Sequence, residues 1–173
     1  MSQFVEDYEY PDYDVHPVAT IFPMLSEEDL AALAADIREN GLAEPIVVRG
    51  PVLLDGRNRL AACELAGVGP TFREWEGDEA EILPWILSKN LHRRHLSASQ
   101  RAAIADSLAT LPAHRPEGGK SAGIPTQAEA AKLLGVSERL VRDARKVRES
   151  GDDTLIESVR SGEVAVSAAA ASL

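Results

Sequence analysis

Leu54-Asp55-Gly56-Arg57-Asn58-Arg59-Leu60-Ala61-Ala62 is the stretch on which the reading of this chain turns. Ahead of it, Pro51-Val52-Leu53-Leu54 is short, apolar and β-prone. Behind it, Leu60 to Ala66 is rich in Leu and Ala and stops at Gly67. That order predicts a strand, a tight turn and a helix. Gly56 can take a positive φ and lets a ligand come close to the backbone. The first amides of the predicted helix lack internal partners and sit at the positive end of its dipole. Arg57 and Arg59 add two cations at the same place. Together these features predict an anion cradle, with phosphate as the natural ligand. The same letters also fit a plain Asp-Gly turn carrying two solvated arginines.

The flanks of this stretch extend the pattern. Ser26-Glu27-Glu28-Asp29 has the form of an N-cap followed by acids in a first turn, and Leu30, Leu33 and Ile37 then repeat at helical spacing up to Gly41. Pro45 to Arg49 predicts a strand that Gly50-Pro51 turns into the strand before the cradle, and Thr71 to Trp75 predicts another. Val18 to Phe22 also has strand character. Asp78 to Leu91 predicts a helix in which Pro84 must lie in the first turn or cause a kink. Residues 1–17, acidic and carrying Pro11 and Pro17, are expected to form a flexible arm.

Composition bounds the class. The chain has 173 residues, 45% of them hydrophobic and only 5% aromatic, so its core must be aliphatic. No apolar run approaches the roughly 18 to 20 residues of a membrane span. The acidic, Tyr-rich beginning is unlike a secretory signal. A single cysteine, Cys63, excludes a disulfide framework and fits a reducing cytoplasm. The net charge of -10 is unevenly spread. Residues 1–88 hold 5 Lys/Arg against 18 Asp/Glu, residues 89–148 hold 12 against 5, and residues 149–173 hold 1 against 5. A basic middle between acidic ends points to an anionic partner for the middle.

That basic middle carries the second signal. Ser97-Ala98-Ser99-Gln100 is a capping box opening a helix to about Leu111, and Pro112 to Pro125, with three prolines and three glycines, is expected to be a linker or mobile loop. Thr126-Gln127-Ala128-Glu129 is a second capping box. Ala130, Ala131, Leu133 and Leu134 follow, Gly135 turns the chain, and Ser137 is suited to cap a further helix whose buried face is Leu140, Val141, Ala144 and Val147. Two helices around a glycine turn, with small Ala131 at the crossing, predict a helix-turn-helix over 126–148. Its outward face would present Glu138, Arg139, Arg142, Arg145 and Lys146, which with Gln127 and Ser137 form the candidate DNA-binding set. The alternative is an αα-hairpin with a solvated basic face. Residues 152–160 and 164–173 predict two more small helices. The apolar, Ala-rich 164–173 segment is the only visible element suited to self-association, and because the chain stops inside that pattern a longer natural protein is expected.

In their order, these motifs resemble the ParB/sulfiredoxin superfamily, and within it the ParB-like partition and plasmid regulatory proteins. Ile37-Arg38-Glu39-Asn40-Gly41-Leu42 followed by Pro45-Ile46-Val47-Val48 resembles that family's opening helix and strand. The cradle stands at its Gly-Glu-Arg-Arg phosphate motif, and Lys89-Asn90-Leu91-His92-Arg93 at its Glu-Asn-x-x-Arg motif. The likeness runs from about Ser26 to Arg148. It implies an α+β fold: an N-terminal domain with a small mixed sheet over 18–96, preceded by the arm at 1–17, then an all-α DNA-binding domain over 97–173. It also implies CTP as the nucleotide, double-stranded DNA with a palindromic site as the partner, a homodimer on that DNA, a partition ATPase as a further partner, and a place in the cytoplasm on nucleoid or plasmid DNA. The nucleotide set is Gly56, Arg57, Arg59, Asn90, Arg93 and Arg94.

Three departures matter. The family's Glu after the glycine is Arg57 here, its next Arg is Asn58, and the Glu before Asn90 is Lys89. Two carboxylates have become cations, which leaves a Mg²⁺ requirement open, assigns no catalytic residue and favours binding over hydrolysis. A CTPase, a nuclease and a silent adaptor stay open as alternatives. Sulfiredoxin chemistry needs a Cys in the turn, where Arg57 stands, and Cys63 is read as a small buried hydrophobe. His92 and His95 have no third metal ligand at a diagnostic spacing, so no metal site is assigned. Trp75 and Trp85 are read as core rather than as base-stacking platforms.

Overall fold

The computed structural model describes residues 12–93, 96–111 and 125–173, with only the backbone at 92 and 93. The elements run β1 (Asp14–Val15), α1 (Pro17–Thr20), α2 (Glu27–Asn40), β2 (Ile46–Arg49), β3 (Val52–Asp55), α3 (Arg57–Ala66), β4 (Phe72–Glu74), α4 (Glu79–Arg93), α5 (Ala98–Thr110), α6 (Gln127–Leu133), α7 (Glu138–Glu149), α8 (Asp153–Ser161) and α9 (Val166–Ala171). The fold is α+β, as the sequence predicts. The chain divides into two compact units. Among the described residues, one takes in residues 12–20 together with Met24–Ile86, the other Ile21–Pro23 together with the chain from Leu87 to Leu173. The division falls inside α4, earlier than the boundary after residue 96 expected from sequence.

The first unit is built on a four-stranded mixed sheet of order β1-β3-β2-β4. β2 and β3 are antiparallel, while β1 pairs with β3 and β4 with β2 in parallel. A register shift between Val47 and Val48 breaks the β2–β3 ladder. Ile46, Val48 and Leu53 fill one cluster against Leu60 and Phe72, and Phe72 is tilted against Tyr13 with ring centroids 5.0 Å apart. A second cluster lies between α2 and α3, where Ala34 and Ile37 meet Ala62, Cys63, Ala66 and Val68. The predicted caps hold: Ser26 Oγ accepts from the Asp29 amide at 3.1 Å. At the far end of α3, Arg38 donates to the carbonyls of Leu65 (2.9 Å) and Ala66 (3.3 Å), placing a cation at the negative end of the dipole.

Three sequence expectations change, and one alternative is narrowed. Val18–Phe22 is not a strand. Pro17 opens α1 with its φ preset, and the His16 carbonyl accepts from the amides of Ala19 (2.8 Å) and Thr20 (3.2 Å). The end of the expected arm is ordered instead, with Asp14–Val15 forming an edge strand on β3. Residues 1–11 of that arm, and 112–124 of the expected linker, lie outside the described residues. Pro84 sits beyond the first turn of α4, inside the helix. The rings of Trp75 and Trp85 are tilted against one another, with centroids 4.6 Å apart, and both residues are only half-buried.

Among its described residues the second unit is all-α. Ala102, Ala144, Val147, Val159, Val166, Ala169 and Ala170 form its core, with α5 packed against α6, α7, α8 and α9. The role expected for 164–173 changes here. Val166, Ala169 and Ala170 are buried at 0%, 1% and 6% exposure in their own unit, so the segment's apolar face is already used.

Candidate phosphate cradle and nucleic-acid interface

β3 ends at Asp55 and α3 begins at Arg57, so the turn between them is Gly56 alone. Gly56 has φ +112°, a backbone angle that side chains rarely tolerate. A Cβ there would lie 3.1 Å from Ile46 and 3.2 Å from the Arg59 guanidinium. The glycine is therefore required twice, by backbone and by space. The first intrahelical bond of α3 runs from the Leu60 amide to the Gly56 carbonyl, at 2.8 Å, so the amides of Arg57, Asn58 and Arg59 precede it.

The three polar side chains of the turn do different things. Arg59 Nη2 donates to Asp55 at 2.7 Å and Nη1 to Glu44 at 2.7 Å, and the Arg59 side chain is 13% exposed. Arg57 Nη1 donates to the Ala19 carbonyl at 3.0 Å, and burial lowers its pKa from the ordinary arginine value. Asn58, in the place of a family Arg, accepts from the Leu25 amide at 3.1 Å and so anchors the entry to α2. What the turn offers an anion is thus a glycine at positive φ, the leading amides of a ten-residue helix and two guanidiniums held from outside. Sequence reasoning missed Glu44 as an Arg59 partner, because it lies on a separate loop with no spacing to mark it.

Asn90 is half-buried on α4. The Arg93 side chain and Arg94 lie outside the described residues. Cys63, fully buried on α3, has its thiol pKa raised, chiefly by burial and partly offset by the nearby Arg59 charge. We expect the native protein to resist a thiol-alkylating reagent at neutral pH while the urea-unfolded chain reacts stoichiometrically. Rapid labelling without loss of helical signal would contradict this burial.

The two expected helices form around the glycine turn, as α6 and α7. Thr126 and Glu129 complete the capping box of α6, and the Glu129 carboxyl is held below the usual range by its hydrogen bonds to Thr126, the backbone bond first. Gly135 turns at φ +62°, the Val136 amide reaches back to Ala131 at 3.0 Å, and Ser137 Oγ accepts from the Leu140 amide at 3.3 Å. Val141, Ala144 and Val147 face the core.

The candidate DNA-binding residues divide into two groups. Glu138, Arg139 and Arg142 are exposed on α7, and Ser137 is exposed at its cap. Gln127 is half-buried, and its Nε2 has no hydrogen-bond partner among the described residues. Arg145 and Lys146 depart from the simple outward-face expectation. Lys146 is exposed, but its ammonium donates to the Ala170 carbonyl at 2.7 Å. Arg145 Nε is turned to Asp106, at 3.3 Å. Arg148 Nε meets the other oxygen of the same carboxylate at 2.6 Å, and that bond raises the Arg148 pKa. Asp106, 1% exposed on α5, is the residue sequence reading overlooked. Its only mark in the sequence is an acid among Ala102, Ala105 and Leu108 on an otherwise apolar face.

Comparison with known proteins follows the same line. No family model matches the chain. It is 30% identical over 160 residues to the chromosome-partitioning protein Spo0J of Thermus thermophilus, covering 86% of this chain and 55% of the relative. The chain therefore spans about half the length of the curated relative it matches. Among solved structures, C-terminally truncated ParB of Caulobacter crescentus with CTP-gamma-S is 23% identical over 92% of this chain and 86% of that one, at a TM-score of 0.42. The same truncated protein on its centromeric parS site is 22% identical over 92% of this chain and 80% of that one, at a TM-score of 0.46. Over most of its own length this chain resembles the ParB/Spo0J partition proteins.

Proposed function

We propose that this chain is a sequence-specific DNA-binding protein of the ParB type, acting in plasmid or chromosome partition or in regulating mobile-element genes. The observation that carries the reading is α7, a capped helix with an apolar face in the core and Glu138, Arg139 and Arg142 on the opposite, exposed face. One carboxylate acceptor and two guanidinium donors on such a face suit the edges of bases in a major groove. The similarity to Spo0J supports the same reading. One helix-turn-helix reads one half-site, so the site is expected to be a palindrome bound by a homodimer on nucleoid or plasmid DNA. A partition ATPase is the further partner that this role implies. The cradle at Gly56, with Arg57 and Arg59, is the proposed site for the phosphates of CTP.

The test is a band-shift titration on DNA from upstream of the protein's own gene. Arg142→Ala is expected to cost about 1–3 kcal/mol of binding and to relax preference at one base position, with the fold intact by circular dichroism. Unchanged binding by an Arg139→Ala, Arg142→Ala double variant would overturn the assignment of α7.

A further inference from the structure

The spacing of α7 and its observed contacts disagree at one residue. Glu138, Arg142, Arg145 and Glu149 follow one another at i, i+4, i+7 and i+11, a single stripe on a helix. By spacing Arg148 lies instead on the side of Val141 and Ala144, although its own side chain is 40% exposed. By spacing, then, Arg145 shares the exposed side of α7 with Arg142. Its guanidinium nevertheless turns to Asp106, a buried carboxylate on a different helix that already has Arg148 at 2.6 Å. The Arg145 contact is a single bond of 3.3 Å from Nε, and the side chain remains 37% exposed.

The two pairs therefore have different jobs. Arg148 compensates the buried charge at close range, which burial of a carboxylate demands. Arg145 adds little to that compensation. The pairing does, however, turn the Arg145 cation away from the stripe it shares with Arg142. We propose that Asp106 is a charge mask for the recognition helix: it withholds Arg145 from the DNA backbone and thereby limits sequence-independent affinity. The proposal rests on the DNA-binding reading above. Specificity is a ratio of site-specific to general binding, and general binding to duplex DNA is set by how many phosphates are neutralised. Masking one cation on the reading face lowers the general part and leaves the base contacts of Arg139 and Arg142 in place.

The experiment measures binding to a labelled duplex of arbitrary sequence by fluorescence anisotropy across a salt series, with a thermal melt for every variant. On a duplex of arbitrary sequence the base contact of Arg142 is not made and its cation can only serve phosphate, so Arg142→Ala is expected to flatten the slope of log K against log salt by about one. Arg145→Ala should leave the slope unchanged, because the cation it removes is already withheld. Asp106→Asn should steepen the slope by about one, and adding Arg145→Ala to it should restore the wild-type value. A lowered melting temperature with no change of slope in Asp106→Asn would make the carboxylate purely structural and overturn the mask. Should Asp106→Asn fail to fold, Arg145→Ala still decides: a slope flattened as much as in Arg142→Ala makes Arg145 an ordinary phosphate contact. A wild-type chain with no salt-dependent binding at all would instead overturn the DNA-binding reading, and the mask with it.

Discussion

Deleting residues 164–173 is expected to lower the melting temperature of the helical unit by more than about 10 °C, rather than to act on self-association alone. Val166 is fully buried, Ala169 and Ala170 nearly so, and Val164 packs against the same cluster. Complete burial of a valine side chain contributes about 1.5–3 kcal/mol, and each further methyl removed from the core adds to the loss. Two polar ties go as well: the Val166 amide donates to Ser99 Oγ at 3.0 Å, and Lys146 donates to the Ala170 carbonyl at 2.7 Å. A loss of about 3 kcal/mol or more is a large share of the stability of a small domain, where each kcal/mol shifts the melt by roughly 4–8 °C. Circular dichroism melts of the full and truncated chains measure it. Leu173→Ala serves as the control, since Leu173 is 50% exposed and its truncation should leave the melt in place. A truncated chain that melts with the full one, but sediments differently, would return the segment to an intermolecular role.

What was legible in the sequence, and what was not, follows from how each feature is encoded. Caps and turns are local: Ser26, Ser97, Thr126 and Ser137 each accept from the amide three residues on, and Gly56 and Gly135 turn at positive φ. Helical spacing is also local, so the buried faces of α2, α3 and α7 could be read directly. The missed features are those in which chemistry and fold compete across distance. The 164–173 segment looked like an interface because an apolar stripe does not say whether its cover comes from the same chain. The guanidiniums of Arg59 and Arg145 looked available because their partners, Glu44 and Asp106, lie 15 and 39 positions away. Val18–Phe22 misled for a different reason: β-prone residues after a proline were overridden by the His16 carbonyl capping a single helical turn.

Arg59→Ala is expected to weaken nucleotide binding at the cradle by more than about a hundredfold. Charge-assisted hydrogen bonds contribute about 1.5–3 kcal/mol each, and an arginine fork can offer a phosphate two of them in one plane. The structure adds a condition to that expectation. Both terminal nitrogens of Arg59 already serve carboxylates, Asp55 at 2.7 Å and Glu44 at 2.7 Å, and a phosphate must displace at least one. Glu44 is the one to yield, since its side chain is 56% exposed against 14% for Asp55. Glu44→Gln should therefore tighten CTP binding, and it separates the two roles of Arg59. If the guanidinium is a phosphate ligand, freeing Nη1 raises affinity. If it serves only to hold β3 against α3, affinity does not move while Arg59→Ala still lowers the melting temperature. Calorimetry with CTP, with and without Mg²⁺, is the measurement. Affinity should depend little on the metal and phosphate release should be slow, because Arg57 and Lys89 stand where the resembled family carries acids, and a cation offsets phosphate charge but does not ligate Mg²⁺. Strong Mg²⁺ dependence with brisk CTP turnover would overturn this account. Undetectable binding of every nucleoside triphosphate would reduce Gly56 and Arg59 to the joint between a strand and a helix.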